Sequence, residues 1–332
     1  VAIGSNAMGT GVVTGGTNIA IGANALLAIT SGFSNIALGT NVANDLTSGY
    51  ENIALGTNAM STGIVTGHYN IALGKLALDD ITSGNDNIAL GRLAAGNLTT
   101  GISNIAVGSG SMGLGTVTSH DNIAIGNFAL EDNTTGGNNI AIGSGSLASA
   151  TDNIGNIALG FETLKTSAND GDKNIAIGYQ AMKTGDVSGD NNIGIGELAL
   201  EDLTTGTDNI AIGSGAALQL TDNTDNIAIG HDAFAASVAG GNRNIAIGAE
   251  AMKTGEISGE DNIGIGTLAL EDLTTGASNV AIGASAALNL TTGGANVAIG
   301  QLAIGSGIAT GDKNTIIGYS AAAALTSGAN NT

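Results

Sequence analysis

The sequence of 332 residues contains no proline, no cysteine and no tryptophan, and only 2% of its residues are aromatic. Large globular cores draw much of their volume from Phe, Tyr and Trp, so this composition predicts a thin core, one side chain deep. The absence of cysteine excludes a disulfide framework and thiolate metal sites. Collagen is excluded because there is no proline and the glycines keep no three-residue register.

Positive charge is also scarce, since eight Lys and Arg stand against 28 Asp and Glu, for a formal net charge of −20. A polyanion is repelled by nucleic acid and by anionic membrane surfaces, so we expect neither as a partner. The longest apolar runs are only a few residues, which predicts no membrane insertion by this segment. Disorder is disfavoured because 42% of the residues are apolar and the mean hydropathy is positive.

Glycine, by contrast, is abundant, with 55 residues, and many of them close a repeated pentapeptide of the form Asn-Ile-Ala-Ile-Gly. Successive copies begin 17 or 18 residues apart over the whole chain. Such a period predicts an all-β fold, a single parallel β-solenoid over residues 1–332 in which each repeat is one coil. A longer period divides residues 104–173, 174–243 and 244–313 into three four-coil modules, and we expect the sequence to be a fragment of a longer fibre.

Within each coil, the β-branched, alternating Ile-Ala-Ile segment predicts a short strand, and the glycine after it predicts a turn with positive φ or close backbone approach. A second segment, as in 198–200, follows before the closing turn. If the flanking isoleucines point into the coil, the small middle residue points outwards, where a solvated strand would carry polar side chains. This reasoning predicts a parallel homo-oligomer with a buried seam of small residues, namely Ala20, Ala37, Ala54, Ala72, Ala89, Ala106, Ala124, Ala141, Ala158, Ala176, Gly194, Ala211, Ala228, Ala246, Gly264, Ala281 and Ala298.

Two explanations fit the asparagine that opens each repeat. Its side chains form an amide ladder running from coil to coil, or asparagine simply tolerates the backbone conformation of the turn that enters the strand. The ladder would consist of Asn18, Asn35, Asn52, Asn70, Asn87, Asn104, Asn122, Asn139, Asn156, Asn174, Asn192, Asn209, Asn226, Asn244, Asn262, Asn279, Asn296 and Asn314.

The motif Asn-Ile-Ala-Ile-Gly-x-x-Ala-Leu resembles the β-roll heads of trimeric autotransporter adhesins. It is closer still to the Asn-Thr-Ala-x-Gly-Tyr-x-Ala-Leu repeats of phage tail-fibre proteins. The resemblance covers essentially the whole chain and implies a left-handed β-roll, a side-by-side homotrimer and a role in attachment. Adhesin heads have shorter coils of about fourteen residues, and no stalk, anchor or chaperone occurs in this sequence.

Paired carboxylates recur at Glu131-Asp132, Glu201-Asp202 and Glu271-Asp272. Two acids about 5 to 10 Å apart can cleave a glycosidic bond, but pairs four coils apart lie about 19 Å from each other. We therefore expect surface ion pairs, Lys183 with Glu201 and Lys253 with Glu271, rather than catalysis.

Metal sites are weakly indicated. Asp190, Asp208, Asp225 and Asp261 lie before or near strands but lack a Gly-Gly-x-Gly-x-Asp calcium turn. His68, His120 and His231 have no second ligand at metal-binding spacing. We expect no metal, no cofactor and no enzymatic activity.

These features predict a structural segment of an extracellular, cell-surface or virion fibre, such as a tail fibre or adhesin, that serves attachment. Its expected partners are copies of itself and a cell-surface receptor or glycan. Two alternatives remain: a ligand- or ice-binding solenoid, which the threonines at turns disfavour, and a polysaccharide-degrading solenoid, which would need a focused cleft.

Overall fold

The computed structural model describes residues 1–9, 12–113, 118–166, 171–236, 240–254, 256–305, 310–322 and 325–332. The fold is the predicted parallel β-solenoid, with about 18 coils and no helix among these residues. The chain divides into two compact units, residues 1–170 and 171–332. Nothing in the described part of the chain is helical and apolar enough over a sufficient length to cross a membrane.

Each coil contributes one short strand, which in all but the first and last coils is centred on the small residue of the repeat. In the first unit the strands are β1 Ala2–Ile3, β2 Ile19–Ile21, β3 Ile36–Leu38, β4 Ile53–Leu55, β5 Ile71–Leu73, β6 Ile88–Leu90, β7 Ile105–Val107, β8 Ile123–Ile125, β9 Ile140–Ile142 and β10 Ile157–Leu159. In the second unit they are β11 Ile175–Ile177, β12 Ile193–Ile195, β13 Ile210–Ile212, β14 Ile227–Ile229, β15 Ile245–Ile247, β16 Ile263–Ile265, β17 Val280–Ile282, β18 Val297–Ile299 and β19 Thr315–Ile317.

Within each unit, consecutive strands pair in parallel and in register, as where Ala211 pairs with Ala228. Coils of 17 and 18 residues keep this register because the additional residue lies outside the strand. The additional residue lies between the second buried segment and the turn glycine. In the 18-residue coil that begins at Asn174, Met182 and Gly189 are seven residues apart, whereas in the 17-residue coil that follows, Leu200 and Gly206 are six apart. The strand column is therefore insensitive to coil length.

The second segment of the coil is not a strand. Leu198 and Leu200 both have positive φ, at 56° and 54°, so left-handed residues alternate along this segment. The backbone N–H of Leu198 donates to Tyr179 in the preceding coil, and that of Leu200 donates to Ala216 in the following coil. The backbone N–H groups of this segment therefore form hydrogen bonds with both the preceding and the following coil. These bonds offset the cost of holding leucine at positive φ.

The glycine after the strand meets both requirements expected of it. At Gly213 φ is 136°, a region that L side chains rarely adopt. A Cβ built there would overlap the backbone carbonyl of Gly230 in the next coil. Any larger residue would therefore force adjacent coils apart.

The core is thin, as predicted. In the coil that begins at Asn70, the buried apolar residues are Ala72, Ala77, Leu78 and Ile81. The alanines of the strand and of the second segment leave room for only one layer of larger side chains. Among the aromatic residues, Phe234 takes part in this core.

Candidate functional site

The small residue at the centre of each strand faces the interior of its own coil. The alanines of the set are at most 1% exposed within the single chain, and the two glycines are also buried. The prediction that they form an intermolecular seam is therefore wrong, because a residue already enclosed by its own coil has no surface to offer a second chain. The correction applies to Ala20, Ala37, Ala54, Ala72, Ala89, Ala106, Ala124, Ala141, Ala158, Ala176, Gly194, Ala211, Ala228, Ala246, Gly264, Ala281 and Ala298.

The small size of this residue follows from the thinness of the core rather than from contact with another chain. At Gly194, a Cβ would lie 3.0 Å from the Cε of Met182, the buried methionine of the preceding coil. Gly264 is placed in the same way against Met252, at 3.1 Å. Glycine at these two positions leaves room for the methionine of the preceding coil, although the buried Met60 and Met112 precede strands with alanine at the centre.

The first and third residues of each strand point outwards and form what we call the outer face. Ile21, Ile125, Ile142 and Ile212 are 37–38% exposed, although neighbouring coils cover them above and below, and Leu90 is 45% exposed. No residue of β1–β19 carries a charge. Parallel sheets are normally covered on both faces, whereas the outer face here is apolar, uncharged and partly exposed.

The repeat asparagines form the amide ladder, and all eighteen of them are buried inside the coils. Asn87 shows the pattern, since its Nδ2 donates to Oδ1 of Asn70 at 3.0 Å and to the carbonyl of Gly101 at 2.8 Å. Its Oδ1 accepts from the backbone N–H of Asn104 at 3.0 Å and from Nδ2 of Asn104 at 3.1 Å. Each side chain therefore joins neighbouring coils and also holds the closing turn of its own coil.

A second asparagine column was missed by sequence reasoning. Asn6 donates to Asn24 at 3.2 Å, Asn24 to Asn41 at 2.9 Å, and Asn41 to Asn58 at 3.3 Å, through their side-chain amides. All four residues have positive φ, which asparagine tolerates better than most residues. Its recurrence six residues after the repeat asparagine was the available signal.

The predicted pairing of Lys253 with Glu271 is not the contact that Lys253 makes. Lys253 Nζ lies 3.0 Å from Asp232 and 3.5 Å from Glu250 rather than pairing directly with Glu271, because these two acids flank it more closely. Burial, followed by Asp272, raises the pKa of Glu271, and Lys253 opposes this shift.

The carboxyl of Glu201 behaves similarly. Burial and then Asp202 raise its pKa, and Lys183 lowers it. Both glutamates are partly buried, and the nearby lysine does not cancel the upward effect of burial and of the neighbouring aspartate on their pKa.

The candidate calcium aspartates take structural roles in two cases. Asp190 accepts a hydrogen bond from the backbone N–H of Asp172 at 2.8 Å, and Asp261 accepts from Nε of Arg243 at 2.7 Å. The guanidinium holds the pKa of Asp261 below its usual range. Asp208 and Asp225 precede their strands with φ of 58° and 60°.

The three histidines lie apart from one another in the coil pattern. His120 forms a parallel bridge with Ile102, and His231 Nδ1 lies 3.6 Å from Asp232. His68 belongs to the aromatic cluster described next. Throughout the described ranges, no three His, Cys, Asp or Glu side chains are grouped so that they could hold a metal ion.

An aromatic cluster was also missed by sequence reasoning. Phe33 and Tyr50 stack with ring centroids 4.9 Å apart, and Tyr50 and His68 stack at 4.4 Å. Tyr69 stands perpendicular to this stack, 5.4 Å from Tyr50 and 5.2 Å from His68. The signal in the sequence was an aromatic residue or histidine in three successive closing turns.

Comparison with protein-family models gave no match, and a search of curated proteins gave none either. The geometry of the chain is therefore the basis for assigning its function.

Proposed function

We propose that this chain is a non-enzymatic structural segment of an extracellular or virion fibre, assembled as a side-by-side homotrimer of left-handed coils and serving attachment. The outer face is the observation that carries this proposal. Its apolar rows run through β2–β18, whereas an enzyme would need polar groups focused in one place. The resemblance of the repeat to phage tail-fibre and adhesin-head repeats supports the trimer, the handedness and the attachment role.

The size of the outer face fits association with further copies of the chain. Ten strands about 4.8 Å apart and about 10 Å wide give about 430 Å² in the first unit, and nine strands give about 380 Å² in the second. In each unit this is about half of the roughly 800 Å² that one partner contributes to an interface of standard size. Because no charge lies on these strands, covering them has little electrostatic desolvation cost.

The oligomer is tested by light scattering of the purified chain, which should give about three times the 32.1 kDa chain mass. Changing Ile125→Glu and Ile212→Glu together should lower this mass while circular dichroism still reports the solenoid, because the new charges would be desolvated at the interface. Asn127→Glu with Ser214→Glu, on exposed residues just beyond the same two strands, adds the same charge as a control. A monomeric parent protein, or an outer-face variant that associates as before, would refute this assembly.

The spacer role is tested by deleting residues 174–243, one four-coil module. The deletion joins Lys173 to Asn244, which repeats the native junction of Arg243 with Asn244. Because solenoid stability is approximately a sum over coils and their neighbours, the shortened chain should fold, and a fibre carrying it should be about 19 Å shorter. Loss of attachment with normal folding would contradict a spacer role for this module.

A further inference from the structure

Aromatic residues are concentrated at one place on the surface. The chain contains four Phe, four Tyr and three His. Phe33, Tyr50, His68 and Tyr69 lie in three successive closing turns and contact one another. Phe33 is 42% exposed and Tyr69 is 45% exposed, so the cluster is at the surface and not part of the core.

The ring of Tyr69 has one face covered and one face open. Both faces of Tyr50 are occupied, one by Phe33 and the other by His68. Tyr69 is perpendicular to Tyr50 and His68, at 85° and 79°, so it rests against the edges of these two rings. The exposed part of Tyr69 is therefore the opposite face of its ring.

Two carboxylates border this open face. Glu51, Tyr69 and Asp86 each directly precede a repeat asparagine in successive coils, so the Cα atoms of the two acids lie about 5 Å above and below that of Tyr69 along the stack. Both are exposed, and Glu51 is the largest contributor to the raised pKa of the Tyr69 hydroxyl. Among the ion pairs that the described residues form, none joins Glu51 or Asp86 to a lysine or arginine.

We propose that Tyr69, Glu51 and Asp86 form a binding site for an alkylammonium cation, with a quaternary head group such as that of choline on the open face of Tyr69. A quaternary ammonium has no N–H to donate and is weakly hydrated, so an aromatic face can replace its water. The two carboxylates attract its charge, and the net charge of −20 raises its local concentration. An anionic ligand would be repelled by the two carboxylates, and a neutral sugar ring would gain nothing from their charge.

The site is tested by titrating choline chloride at constant ionic strength into protein with isotope-labelled tyrosine. The Tyr69 ring signals should shift and saturate, whereas 3,3-dimethylbutan-1-ol, the neutral isostere of choline, should bind at least about twofold more weakly. Tyr69→Ala should weaken choline binding about two- to fivefold and Tyr69→Phe should retain it, because the ring face is what the cation contacts. Tyr179→Ala removes a comparably exposed tyrosine, 50% exposed, outside the cluster and should leave binding unchanged.

Several results would overturn the site. These are no saturable shift up to about 100 mM choline, equal binding of the neutral isostere, tighter binding of methyl glucoside than of choline, or choline binding that Tyr69→Ala leaves intact. The last result would mean general attraction to the acidic surface, since that variant keeps every carboxylate. Light scattering on the same samples reports assembly separately, so failure of this site is distinguishable from failure of the proposed trimer.

Discussion

Replacing Asn87 by alanine tests the asparagine ladder. The change removes the side chain that accepts from the backbone N–H of Asn104 and donates to the carbonyl of Gly101, and both of these residues are buried. A buried backbone group left without a partner costs about 1–3 kcal/mol. We therefore expect Asn87→Ala to destabilise the surrounding coils by about 2–6 kcal/mol, more than the loss of two ordinary exposed hydrogen bonds.

Hydrogen exchange is the appropriate assay, because a solenoid can open locally without unfolding as a whole. The amide of Asn104 should lose protection by a factor of at least about 30, corresponding to the lower end of that range. Asn127→Ala, at an exposed asparagine of the same unit, serves as the control and should leave exchange at Asn104 unchanged. If the two variants exchange alike at that amide, the ladder does not stabilise the stack and the asparagines serve only the turn.

Three further predictions concern the interior and the acids. Gly213→Ala should destabilise its coil by several kcal/mol in denaturant titrations, because φ is 136° and the new Cβ would overlap the next coil; a loss below about 1 kcal/mol would contradict this. Gly194→Ala should be destabilising alone but much less so combined with Met182→Leu, which removes the Cε that lies 3.0 Å from the new Cβ; strictly additive effects in this double-mutant cycle would exclude direct contact. Burial raises the pKa of Glu201 and Glu271 above the ordinary value of 4.5, so just above pH 4.5 the folded state binds more protons than the unfolded state. The contribution of these two carboxyls to the free energy of unfolding therefore falls as the pH rises from 4.5 through their raised pKa. Glu201→Gln with Glu271→Gln should therefore reduce this slope and raise stability at pH 7, and an unchanged pH profile would show that these carboxyls are effectively solvated.

The sequence alone was sufficient to predict the solenoid because its evidence is repeated in every coil. The strand centred on Ala211, the glycine at 213 and the asparagine at 209 recur at a fixed period, and each has a local physical reason to be there. Stacked identical residues also meet their own copies in the next coil. A ladder such as that of Asn209 therefore follows from the period alone.

The direction in which the strand faces was decided by the tertiary structure. Alternation shows that Ala211 and Ile212 point to opposite sides, but it is equally consistent with either residue being inside. The choice depends on the width of the coil, which is set by the second segment with its alternating positive φ values at residues such as Leu198 and Leu200. In β2–β18 the strand residue that faces this segment is always alanine or glycine and the outer residues are left outside, whereas β19 has Ile316 at this position.

The aromatic cluster shows the same division. The period places Phe33, Tyr50 and His68 in one column, so their proximity was contained in the sequence. Ring orientation was not, because the perpendicular placement of Tyr69 depends on both faces of Tyr50 being already occupied. Periodicity thus determined which residues are neighbours in this protein, whereas the closeness of the coil walls and the packing of rings decided which side chains remain exposed.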